Sequence, residues 1–177
     1  DRLECVRLAE GRGRGHVSIV VGASTAEVIG ERLRIARDAA SAVQAALRGG
    51  VLPGGGAAEV AAARELERYR ETVQGMEGFG VAAVALALRK PLAQIVVNAG
   101  YNPLEKVEQV KAAQTASGSA SLGLDCDTGE VVDMYERGIV DPAPVKLHAL
   151  QAAGEVAAAV LRIHTVIKMK SSGGSEA

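Results

Sequence analysis

Apolar positions along this chain change period several times, and each change marks an element. The run His16 to Val21, HVSIVV, is β-branched and bounded by GRGRG and Gly22, which predicts a short buried strand. Ser24 followed by Glu27 predicts a capping box. Behind it Ile29, Leu33, Ala36, Ala40, Val43 and Leu47 step by four and three, predicting an amphipathic helix that ends at Gly49-Gly50. A turn, VLPGGG, leads to a second helix from about Ala57 to Val73, with Val60, Leu66, Tyr69 and Val73 on its inner face. The short linker makes these two helices neighbours.

From Val81 to Asn98 the chain is apolar on nearly every side, the pattern of a helix buried by others at the centre of the core, with Pro91 forcing a kink or break near Arg89 and Lys90. Asn102-Pro103 supplies an N-cap and a first-turn proline for a helix running to about Ala113. The following QTASGSAS reads as a loop. Between Leu122 and Met134, a turn at Asp127-Thr128-Gly129 separates two extended pieces, predicting a small hairpin. Asp141-Pro142 repeats the cap-plus-proline device. Val145, Ala149, Ala153, Val156, Val160, Ile163 and Ile167 then line a long closing helix, and the tail KMKSSGGSEA reads as disordered.

The 177 residues include no Trp and a single Phe, so the core has to form by close helix–helix contact through Ala, Val and Leu, a mainly α composition. With 20 basic and 21 acidic residues the formal net charge is −1, which gives nucleic acid or anionic lipid no broad attraction. Cys5 and Cys126 are far apart, with neither a CxxC spacing nor a nearby His cluster, and read as reduced thiols. The most apolar stretch, Gly78 to Gly100, is interrupted by Arg89, Lys90 and Pro91, and no leader is read at the amino terminus, so a soluble cytoplasmic protein is expected. The first residue, Asp1, falls inside an apolar–polar element, as in a fragment or a processed product.

Two carboxylates could carry chemistry. Asp38, on the first helix, is followed by the triple glycine Gly54-Gly55-Gly56, a loop whose backbone can approach a ligand closely, and a fixed carboxylate can hold a metal-bound water or accept its proton. The competing reading makes Asp38 a solvated residue paired with Arg34 one turn earlier, worth a few tenths of a kcal/mol. Asp141 reads first as a helix N-cap contributing about 1 kcal/mol. The GRGRG glycines precede a strand instead of following one, unlike a dinucleotide fingerprint, and two arginines are too few for a nucleic-acid patch. His16, His148 and His164 are widely separated and read as structural or solvated.

In order, VVGAS, the RDA at Arg37 to Ala39, VLPGGGAAEV, PLAQIVVNAG, DTGEVVDM and RGIVDP resemble the carboxy-terminal part of chaperonin subunits, from about Val17 to Ile167. VLPGGGA, NAGYNPLE and TGEVVDM are similar to the archaeal thermosome type. VVGAST, PLAQIV and the Asp of IVDP are similar to the bacterial ring chaperonin. The mixture points to the bacterial, thermosome-like group.

The resemblance implies a helical bundle of the equatorial ATPase domain, with a small α/β piece of the intermediate hinge domain and a short β-hairpin. Residues 1–15 would be an exit segment from the apical region, 16–53 part of the intermediate domain, 54–168 the carboxy-terminal half of the equatorial domain, and 169–177 a disordered tail. It implies ATP and Mg as ligands. Asp38 matches the aspartate that positions the attacking water beside Mg-ATP. Gly54, Gly55 and Gly56 match the loop along ribose and base, Ile95 and Ile139 match apolar positions flanking the adenine, and Asp141 matches the carboxylate that contacts the ribose hydroxyls. Gly123 to Asp127 falls where the adenine-edge loop lies, which makes Gly123 and Asp125 candidates.

In the family the phosphates and Mg are held mainly by an amino-terminal GDGT-like loop, a sequence this chain does not contain. The implied activity is therefore ATP hydrolysis coupled to protein folding in a full-length subunit. Its partners would be other subunits of a double ring, and client proteins bound through an apical domain. The chain alone is expected to be inactive, because in-line attack needs water, metal and phosphoryl group held together. Two alternatives stand beside this: a non-enzymatic helical interaction module, and a small-molecule enzyme using Asp38 and Asp141 as an acid–base pair.

Overall fold

A computed structural model describes residues 17–165. The exit segment, Cys5, His16, Ile167 and the tail lie outside them. Six helices dominate: α1 (Ala26–Gly49), α2 (Ala57–Thr72), α3 (Glu77–Leu88), α4 (Lys90–Asn98), α5 (Pro103–Ser117) and α6 (Ala143–Leu161). Four three-residue strands accompany them: β1 (Val51–Pro53), β2 (Leu122–Leu124), β3 (Val131–Asp133) and β4 (Val140–Pro142). The chain is mainly α, as expected. It divides into two compact units, one up to Ala40 and one from Ser41 onward.

In the first unit, residues 17–21 form no strand, contrary to expectation. A β-branched run becomes a strand only where a second strand satisfies its backbone groups, and no described segment pairs with it. The capping box at Ser24 also fails to form. Helix α1 begins one residue later than such a box requires, with the Ile29 amide donating to the Thr25 carbonyl at 3.1 Å and Thr25 Oγ1 accepting from Val28. The helix itself is present, but none of its residues is buried.

In the second unit the core joins Val60 of α2, Leu92 and Val96 of α4, Val107 and Val110 of α5, and Leu124 of β2. Helix α2 buries Ala57, Val60, Ala61 and Ala63 near its start, whereas Tyr69, expected on the inner face, is exposed. The apolar stretch breaks at Arg89 as Pro91 predicts. Helix α4 supplies core, yet α3 buries only Gly78, Ala85 and Leu88 and leaves Phe79, Val84 and Leu86 exposed, so α3 is not the enclosed central element expected. Glu77–Asn98 is long and apolar enough, by length and composition, to cross a membrane. At its middle, however, Arg89 is paired with Glu67 of α2 and lies 3.8 Å from Glu108 of α5.

Asn102 caps α5 as expected, its Oδ1 accepting from the Leu104 amide at 3.0 Å, but the helix runs through Ser117 and ends at Gly118 in the left-handed region. The extra turn carries the fully buried Gln114, whose Nε2 donates to the carbonyls of Ala57 (3.0 Å) and Leu122 (2.8 Å), tying α5 to the start of α2 and to the hairpin. Strands β2 and β3 form the predicted hairpin, with Gly123 opposite Val132. A second antiparallel pair, β1 with β4, was not foreseen and sets Leu52 opposite Asp141. Helix α6 starts after Pro142 and, like α1, buries no residue.

Candidate functional site

The loop between β1 and α2 organises the site. The Gly54 amide donates to the Ile139 carbonyl at 3.0 Å, the Ile139 amide to the Met134 carbonyl at 2.8 Å, and the Met134 amide to the Ser121 carbonyl at 2.9 Å. This backbone relay, together with the β1–β4 pair, joins glycine loop, hairpin and α6 entry. The three glycines answer different demands. A Cβ on Gly54 would lie 3.0 Å from Ile139 Cγ2. Gly55 has φ +63°. Gly56 has φ +80°, and a Cβ there would sit 2.8 Å from Leu92 Cβ and 2.9 Å from its Cα. At Gly56 the close approach is therefore to helix α4.

Gly123 is buried against Met134. An added Cβ would meet Met134 Cε at 2.7 Å and Ala57 Cβ at 3.2 Å. Gly54 to Gly56, Ile139, Asp141 and Gly123 thus gather around the start of α2. Ile95, half-buried, sits three residues, nearly one helical turn, beyond Leu92 on α4. Asp125 is occupied locally: Oδ1 accepts from the Asp127 amide at 2.9 Å, and Oδ2 lies 3.4 Å from Arg137. It holds the hairpin turn in the Asx manner. Asp38 belongs to the first unit, where its carboxylate is 68% exposed and 3.2 Å from Arg34. Arg34 keeps its proton more firmly than an isolated arginine, through its bond to Glu31 first and the charge of Asp38 second.

Asp141 does not cap α6. The N-cap is Pro142, which has no side-chain donor or acceptor, because the backbone of Asp141 is committed to the β1–β4 ladder. Its carboxylate instead receives Lys146 Nζ at 2.9 Å on Oδ2. Lys146 also bonds Glu59 Oε1 in the first turn of α2. Glu59 is buried, and its Oε2 has no partner among the described residues. Burial opposes the charge on Lys146, but its bonds to Glu59 and Asp141 outweigh that and raise its pKa. Beside the trio lies a cavity of about 380 Å³ lined by Glu59, Leu88, Pro91, Lys146, Leu150 and Gly154 among others.

Sequence reasoning missed Glu59, Lys146 and Gln114. Glu59 lies three residues beyond the glycine loop and Lys146 five beyond Asp141, spacings that acquire meaning only once β1 and β4 pair. Cys126 is exposed, and desolvation first, then the charges of Asp125 and Asp127, push its thiol pKa up, which disfavours the thiolate.

The sequence matches the TCP-1/cpn60 chaperonin family over residues 2–171. The chain belongs to this family. It is 37% identical over 161 residues to a thermosome subunit of Methanocaldococcus jannaschii, covering 90% of this chain and 30% of that protein. To a thermosome subunit of Methanopyrus kandleri it is 39% identical over 152 residues, covering 85% of this chain and 28% of the relative. Among solved structures, a group III chaperonin in the open state is similar with a TM-score of 0.84 and 44% identity, over 89% of this chain and 32% of the other. This chaperonin chain spans about 30% of the length of the curated relatives it matches. The thermosome-like character of its motifs and its mainly helical equatorial fold agree with these similarities.

Proposed function

We propose that this chain provides the catalytic carboxylate and the adenosine side of an ATP site in a chaperonin subunit, and that the whole subunit couples ATP hydrolysis to protein folding. The observation that carries this reading is the convergence of Gly54, Ile139 and Asp141, through the β1–β4 pair, at the start of α2. There the Ile139 side chain offers an apolar wall, 42% exposed, for an adenine ring, and Asp141 offers a carboxylate to ribose hydroxyls. Ile95 is assigned to the opposite adenine face, and Gly123 and Asp125 to the adenine edge. Asp38 positions the attacking water.

The residues fit Mg in a limited way. No group of three or more His, Cys, Asp or Glu able to hold a metal ion occurs among the described residues. Mg typically uses one or two carboxylates together with substrate phosphates, and Asp38 is the carboxylate assigned to it here. When bound, Mg supplies charge neutralisation at the phosphates. The chain's own part is to orient water at Asp38 and to hold base and sugar in unit two. We assign the phosphate cradle to sequence outside this chain, and accordingly expect the 177 residues alone to be inactive. The wider subunit is proposed to work in the cytoplasm in a double ring with other chaperonin subunits, on unfolded client proteins.

Asp38→Ala in the full-length subunit tests the catalytic assignment. Because Asp38 is exposed and, among the described residues, its carboxylate pairs with the exposed Arg34 alone, its loss should leave stability nearly unchanged. ATP turnover should fall by two orders of magnitude or more, in line with loss of a positioned acid–base group, while ATP still binds. Turnover at the parental rate would remove Asp38 from the mechanism. A full-length parent with no ATP turnover at all would instead favour a second reading, a non-enzymatic helical interaction module, which the exposed apolar residues Val145, Leu147, Val156 and Val160 of α6 support.

A further inference from the structure

Asp141 can serve a ligand only if something fixes its carboxylate, and the usual device, capping its own helix, is not used. Its backbone is held opposite Leu52, two residues before the glycine loop. Its side chain is held by one contact, Lys146 Nζ on Oδ2, and Oδ1 takes no hydrogen bond from the described residues. Lys146 is itself anchored. Its side chain is only 21% exposed, and its ammonium also bonds Glu59, whose side chain is 9% exposed and fixed on the first turn of α2, directly after Gly56. Two stretches distant in sequence therefore meet at one ammonium group: the first turn of α2, next to the glycine loop, through Glu59, and the β4–α6 junction through Asp141 and Lys146.

We propose that Lys146 is a positioning residue for nucleotide recognition: braced by Glu59, it holds Asp141 Oδ2 so that Oδ1 is presented to the vicinal hydroxyls of a ribose. This inference rests on the assignment of Asp141 to the ribose. An ammonium with three donors can satisfy both carboxylates at once, leaving Asp141 Oδ1 free to accept from sugar hydroxyl donors. A guanidinium at the same place keeps charge and donors, whereas a methionine keeps only the bulk.

The experiment measures Mg-ATP and Mg-2′,3′-dideoxy-ATP binding by calorimetry in the full-length subunit and its variants. The parent should prefer ATP by about tenfold, the worth of a charge-assisted hydrogen bond. Asp141→Asn should lower that preference several-fold. Lys146→Met should lower it to the same extent while leaving affinity for the dideoxy nucleotide unchanged, and Lys146→Arg should keep most of it. A purely structural role would weaken both nucleotides together, and that result overturns the proposal. So does a Lys146→Met protein with parental preference beside an Asp141→Asn protein that has lost it, which leaves the ribose assignment standing. A parent with no preference overturns the ribose assignment itself, and the proposal with it. If Lys146→Met unfolds because Glu59 is left charged and alone, the Lys146→Met Glu59→Gln pair removes both charges, and the same selective loss is expected of it.

Discussion

Three consecutive glycines look interchangeable in a sequence, yet each has its own surroundings. Gly56 combines a left-handed backbone with a Cβ direction that runs into the backbone of Leu92, which cannot swing aside as a flexible side chain would. Gly100 has a similar φ, +83°, and open space around it. Gly56→Ala should therefore cost about 2–4 kcal/mol, from left-handed strain plus overpacking, and Gly100→Ala only about 1–2 kcal/mol from the strain alone. Denaturant unfolding of the two variants checks this, and equal losses would mean that α4 yields at Leu92. The glycine cluster was legible in the sequence as a place of close backbone approach. That the approach at Gly56 is to α4 was not, because a missing side chain does not say what comes near. Asp141 was misread for a related reason: Asp before Pro is a strong local cap signal, and only its pairing with Leu52, far away in the chain, diverts it.

At the scale of elements, what local chemistry determines was readable. The hairpin turn at Asp127-Thr128-Gly129, the cap at Asn102 and the break near Pro91 all depend on neighbours in sequence. Strands β1 and β4 were not readable. Each has three residues and contains a proline, and each exists only through the other. The run at residues 17–21 errs in the opposite direction, having a strand's composition without a described partner.

The hairpin also has a pH-sensitive clasp. Asp133 receives the Ser121 hydroxyl on Oδ2 and the Tyr135 amide at 2.8 Å on Oδ1. The Ser121 bond, opposed by some desolvation and aided by the Glu136 and Tyr135 amides, holds the Asp133 pKa below the usual carboxylate range. A lowered folded-state pKa stabilises fully above the unfolded value, about 3.9, and the contribution fades as pH falls through the folded value. A carboxyl NMR titration should find Asp133 among the last aspartates to protonate. Ser121→Ala should move its pKa upward and destabilise the chain at neutral pH more than in acid. An unmoved pKa would assign the lowering to the backbone amides.

For the whole molecule, the interior is small and the uncovered apolar surface is large. The core of unit two lies among α2, α4, α5 and the hairpin, while α6, an almost uncharged helix, buries nothing and leaves Val156 64% and Val160 59% exposed. Periodicity placed Val145, Ala149, Ala153, Val156 and Val160 on α6, but the helix ends at Leu161, short of the Ile163 also expected on it, and the stripe did not say what it meets, since a stripe specifies a face and not its partner. The chain also spans about 30% of the length of its relatives, and the site proposed above is divided accordingly, with the base, sugar and water contacts here and the phosphate cradle assigned elsewhere. Calorimetric titration of Mg-ATP into the 177-residue chain and into the full-length subunit measures how much. Phosphates carry most of the nucleotide's charge, and a site that contacts only adenine and ribose forgoes their charge-assisted bonds. Binding should therefore be tight for the subunit and at least a hundredfold weaker for the chain, a gap of about 2.7 kcal/mol, equivalent to one or two lost charge-assisted bonds. Comparable affinities would place a complete phosphate cradle within these 177 residues, and the division of the site proposed here would fall.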